Sequence, residues 1–172
     1  MAYQPSALVR WAWDHPPSCL SSVVVQPLKS GASVEGHNVF AHFALSCECG
    51  ASVWHVLGYM PEPDLFLCPL SLRCSECDRL AMIFDVEKNG YDAELGNGCY
   101  SRRAERSQVE LACRGCRGAV FGATAIVSYQ FDESEFDGEL RNKIHDLFDV
   151  FNLGVLCKVC GHATTVCEYE CA

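Results

Sequence analysis

The chain has 172 residues, 49% of them hydrophobic, and its 22 acidic and 13 basic side chains leave a formal charge of −9. That mixture excludes intrinsic disorder, and no apolar run approaches the ~20 residues of a membrane-spanning helix. The acidic balance argues against broad nucleic-acid binding, because a negative surface repels phosphate. Met1 to Arg10 lacks the basic and apolar regions of a secretory signal, so a cytoplasmic protein is expected.

In chain order, residues 1–36 read as an irregular arm carrying Trp11, Trp13, His15-Pro16-Pro17 and the β-branched run Val23-Val24-Val25. The tryptophans are expected to pack over the core. Residues 37–98 form a first unit. An apolar run from Val39 to Leu45 enters Cys47-Glu48-Cys49-Gly50, and the alternating Val53-Trp54-His55-Val56-Leu57 leaves it. After Pro61-Glu62-Pro63-Asp64, Leu70-Ser71-Leu72 leads into Cys74-Ser75-Glu76-Cys77, and Leu80 to Phe84 follows. Asn89-Gly90, in the acidic stretch 85–94, is a hairpin-turn signal.

Residues 99–108 are a connector, and 109–172 repeat the pattern. Val109 to Ala112 enters Cys113-Arg114-Gly115-Cys116, the long run from Val120 to Phe131 leaves it, and Leu153 to Leu156 enters Cys157-Lys158-Val159-Cys160. The insertion at 134–151 is the one clear helix, with apolar residues at Phe136, Leu140, Ile144, Leu147, Phe148 and Phe151. Ser134 to Asp137 resembles a capping box, and Gly154 is a natural stop. The predicted fold is mainly β with one helix: two zinc-ribbon-like antiparallel units in tandem, able to pack as one domain.

Thirteen cysteines cannot pair completely into disulfides, and in a reducing compartment clustered thiols bind metal. A short spacing lets one backbone turn present two sulfurs to one ion at ~2.3 Å. Gly50 and Gly161, each directly after a second cysteine, suit the positive φ of such a turn. The four close pairs therefore predict two Zn²⁺ ions per chain in closed sites. The repeat favours Cys47, Cys49, Cys74 and Cys77 on one, and Cys113, Cys116, Cys157 and Cys160 on the other. A catalytic dithiol and an iron–sulfur cluster are the competing uses of such spacings.

No side chain is assigned a catalytic role, and no phosphate loop, nucleophile elbow or HExxH motif occurs. His42 and His55 read as satisfied sheet residues, and His162 as a neighbour of its cysteine turn. Cys99 and the basic cluster Arg102, Arg103 and Arg106 fall in a glycine-rich loop that reads as a connector.

At Cys47-Glu48-Cys49-Gly50-Ala51-Ser52-Val53 and Arg73-Cys74-Ser75-Glu76-Cys77-Asp78-Arg79, the chain resembles the glutathione-dependent formaldehyde-activating enzyme family. The resemblance spans roughly residues 45–80. It implies a zinc-bearing β-tent fold and a different grouping, Cys47 and Cys49 with Cys113 and Cys116. Leu72 stands where that family carries the first cysteine of its catalytic triplet, unless Cys68 substitutes, so the activity is not carried over.

The functional expectation is a cytoplasmic protein–protein interaction module, an adaptor or an inhibitor of a basic partner. Its acidic stretch 132–149 and the arginine loop would supply the contacts. The alternative is a zinc- or thiol-dependent enzyme on a β-tent-like scaffold, using Cys68, Cys74 and Cys77, or Cys99.

Overall fold

The computed structural model describes residues 7–30, 32–35, 38–62, 65–85, 88–89, 107–130, 144–146 and 148–170. Ten strands form one antiparallel sheet: β1 Val24–Pro27, β2 Ser33–Glu35, β3 Asn38–Ser46, β4 Trp54–Glu62, β5 Leu65–Cys74, β6 Leu80–Phe84, β7 Val109–Glu110, β8 Phe121–Gln130, β9 Val150–Cys157 and β10 Ala163–Glu170. Alternation in β3 buries Val39, Ala41, Phe43 and Leu45, and in β8 it buries Phe121, Ala123, Ala125, Val127 and Tyr129. One face of each strand thus builds the core, as period-2 patterning requires.

The order of pairing puts strands of the two expected units beside one another. β3 runs along β8 from Asn38↔Gln130 to Leu45↔Ala123, and β7 pairs with β4 through Leu57↔Glu110 and Gly58↔Val109. The first strand of each unit therefore lies in the other unit's half of the sheet. The halves β1-β2-β3-β8-β9-β10 and β7-β4-β5-β6 meet at a single pair, Trp54↔Phe121. The register is equivalent on both sides of that pair. Trp54, five residues after Cys49, faces Cys74, and Phe121, five after Cys116, faces Cys157.

Cys74, Trp54, Phe121 and Cys157 thus form one row across four strands, spanning about 14 Å at ~4.8 Å per strand. From this row the halves run in opposite directions. Phe84, paired with Leu70, and Phe151 lie on opposite sides of it, and in a flat sheet would stand about 30 Å apart at ~3.3 Å per residue. Their rings instead stack with centroids 4.3 Å apart. The sheet is therefore folded over along the row, and the two inner faces close on one core. Tyr169 in β10 seals the far side, its hydroxyl accepting a hydrogen bond from the Cys68 amide in β5 at 2.9 Å. At the seam Trp54 is fully buried, and its indole N–H donates to the Leu45 carbonyl at 3.0 Å.

Two expectations about helices are corrected. The arm is not wholly irregular: Ala7–Asp14 forms α1, burying Val9 and Ala12, with Trp11 edge-on to Tyr129 at 5.7 Å. The imidazole of His15 lies over Trp11, and its Nδ1 is 2.8 Å from the Trp11 carbonyl oxygen at the helix end. The predicted helix at 134–151 does not reach its expected end. Ile144–Asp146 is a single 3₁₀ turn, Val150 already begins β9, and Gly154 sits mid-strand opposite Thr124. Phe151, Leu153 and Val155 alternate inward against β8, so sheet burial wins over helical spacing there. Residues 131–143 and 147 lie outside the described residues.

Candidate metal centres

Each cysteine pair sits in a turn of the same design. The amide of Cys74 donates to the Arg79 carbonyl, that of Cys113 to Gly118 and that of Cys157 to His162, at 2.8–2.9 Å. Four residues after each of these cysteines, the amides of Asp78, Arg117 and Gly161 donate back to its carbonyl. The shorter Cys47-x-Cys49 turn does the same one residue earlier, through Ala51 and Gly50. In every turn the residue after the second cysteine has positive φ: Gly50 at 91°, Asp78 at 57°, Arg117 at 64° and Gly161 at 75°. The glycines mark two of these positions in the sequence. Asp78 and Arg117 escape notice by residue type and are found only by position.

The turns meet in two groups. Cys47, Cys49, Cys74 and Cys77 gather in one, and Cys113, Cys116, Cys157 and Cys160 in the other, each with all four sulfurs within 4.8 Å of one another. This is the sequential grouping, not the crossed one that the family resemblance implies. Sulfur pairs Cys47–Cys77, Cys49–Cys74, Cys113–Cys160 and Cys116–Cys157 lie 3.6 Å apart. A tetrahedral ion with metal–sulfur bonds of ~2.3 Å needs edges of about 3.8 Å, so either group can hold one metal ion. In each turn the first cysteine is buried and the second exposed.

Each group also joins the two halves of the sheet. Cys47 and Cys49 lie on the passage from β3 to β4, and Cys113 and Cys116 on the passage from β7 to β8, so both turns cross the seam. They meet the hairpin turns β5–β6 and β9–β10 respectively. A pair of Glu48 with Arg79 ties the two turns of the first group together, and its hydrogen bond and charge hold the Glu48 carboxyl below its ordinary range.

The thiols are poised unevenly. Burial raises the Cys74 thiol, but the amides of Cys77 and Glu76 outweigh it and bring the group down to about 7. The Cys160 amide, helped by that of Val159, likewise brings Cys157 to about 7 against its burial. Amide donation from Arg79 lowers Cys77, but neighbouring sulfurs dominate and push it up to about 12. Cys116 is also pushed to about 12, its Gly118 amide overridden chiefly by Cys160. Four sulfurs this close cannot all ionise on their own, whereas a dication replaces their protons.

The other candidates fall outside both groups. Cys68 is 3% exposed beside Tyr169, and Cys167 is also buried. His162 is exposed and only its backbone serves the turn. His42 is half-buried, and that burial lowers its pKa. His55 pairs through Nδ1 with Glu110, which also accepts from Arg73 at 3.0 Å, an outer-face cluster that no sequence signal announces. Cys99, Arg102, Arg103 and Arg106 lie outside the described residues, as does Cys171. Among the described residues no helix is long and apolar enough to cross a membrane. No family model, curated protein or solved structure matches the chain.

Proposed function

We propose that the protein is a non-enzymatic interaction module, working in a reducing compartment such as the cytoplasm, in which each four-cysteine group holds a structural zinc ion. The carrying observation is that four sulfurs converge on each centre, since a tetrahedral ion bound by all four would have no position left for substrate or water. Zinc bound there supplies cross-linking between turns and no reaction chemistry. The equivalent registers on either side of Trp54↔Phe121 support two copies of one ribbon-like unit that have exchanged their first strands.

The module's partner, on this reading, is a basic protein met by the acidic stretch 132–149. Within it, Asp146 accepts the Ser18 amide at 2.7 Å and Asp149 is half-buried, so both serve the fold. Glu135→Lys with Glu139→Lys is therefore the cleaner test. Binding of a basic probe, an oligolysine peptide, to the zinc-loaded chain should weaken about tenfold while zinc content stays at two. Unchanged binding by the zinc-loaded variant would remove the acidic stretch as the contact.

A further inference from the structure

The two cysteine groups share one backbone design and carry opposite charge. The turns of the first group hold Glu48, Glu76 and Asp78 against one cation, Arg79, and that cation is committed to Glu48. Those of the second hold Arg114, Arg117 and Lys158 with no acid, all three exposed. Local geometry does not require this, since both groups fold through the same backbone hydrogen bonds.

The second group is also built as a platform. Val159 is 65% exposed, more than any other large apolar side chain among the described residues. It rests on Gly118, where a Cβ would meet its Cγ2 at 2.9 Å. Lys158 lies across Gly122, where a Cβ would come 3.0 Å from both its Cε and its Nζ. Two glycines thus seat an apolar anchor and an ammonium from successive residues, with Arg117 next to Gly118 in the chain. An exposed apolar side chain rimmed by charges of one sign has the form of a small recognition surface.

We infer that the Arg117–Lys158–Val159 platform binds an acidic polypeptide segment carrying an apolar side chain, which seats against Val159. Charge complementarity selects an anion, because these turns form a cationic spot on a chain of net charge −9. Val159 selects a polypeptide. None of the exposed large apolar side chains among the described residues is aromatic, which leaves a nucleic acid only the His162 ring and the arginine planes to stack on here. Its residues lie outside the acidic stretch 132–149 in the chain.

The test is fluorescence anisotropy at low salt, with the zinc-loaded full chain and a labelled decapeptide of Asp and Glu around a central Leu-Phe pair. The wild type should bind it, and Arg117→Glu with Lys158→Glu should weaken binding at least tenfold at unchanged zinc content. Val159→Ser should weaken it at least threefold, and Glu76→Gln with Asp78→Asn should leave it within twofold. Should the double reversal lose zinc, Lys158→Gln carries the test, a threefold loss supporting the platform and none overturning it. No binding by the wild type, equal losses from both groups' variants, or tighter binding of a single-stranded oligonucleotide would overturn the proposal.

Discussion

At the scale of residues, the turns are governed by a backbone requirement that the sequence states only in part. Gly50 and Gly161 occupy positive φ with nothing within 4 Å of where a Cβ would sit, so substitution there meets backbone strain and no clash. Gly161→Ala should cost about 1 kcal/mol, lowering the melting temperature of the zinc-loaded protein by about 2–4 °C. An unchanged melting temperature would show that the turn does not hold its conformation. The sulfurs predict a pH dependence of definite sign. Zinc competes with protons for thiolates, and the first to ionise, Cys74 and Cys157, do so near 7. Affinity is thus weaker as pH falls through 7, and the protein's zinc affinity, read by transfer to a chromogenic chelator and corrected for the chelator's own protonation, should fall at least about a thousandfold from pH 8 to pH 6. A corrected affinity independent of pH would contradict thiolate ligation. The four close cysteine pairs were legible, because short spacings are local information, whereas which pairs meet is long-range and the repeat only favoured the grouping that the sulfurs show. The positive-φ roles of Asp78 and Arg117 were not, because neither residue type advertises them.

At the scale of elements, the apolar runs Val39 to Leu45 and Val120 to Phe131 and the alternating run Val53 to Leu57 overlap β3, β8 and β4, and the Val23-Val24-Val25 run overlaps β1. The pairing of β3 with β8 was illegible, since alternation says which face of a strand is buried and nothing about its neighbour. Phe151 fits both the helical spacing of the insertion and the strand alternation with Leu153 and Val155, and the inner face closed by Phe84 goes with the strand. That closure is testable through β10. Tyr169→Phe leaves the Cys68 amide without the hydroxyl that accepts it, in a buried setting. The expected loss is about 1–3 kcal/mol by urea denaturation, with zinc content unchanged. A variant as stable as the wild type would show that β10 does not close on β5 through this bond.

At the scale of the whole molecule, the sheet folds along one row, and a four-cysteine group stands at each end of it. Each group binds a turn that crosses the seam to a hairpin within one half, so zinc is expected to hold the halves together. A strong chelator should accordingly abolish the near-ultraviolet circular dichroism of buried Trp54, and zinc should restore it; a signal indifferent to chelation would leave the core self-sufficient. The central claim is that two closed zinc sites are grouped in sequence order. It is tested most directly by zinc per chain, measured by native mass spectrometry on paired variants. The wild type should carry two zinc ions, Cys47→Ser with Cys74→Ser should retain one, and Cys47→Ser with Cys157→Ser should retain none. Iron in place of zinc, a third ion, or one ion lost by a Cys47→Ser and Cys113→Ser pair would contradict it.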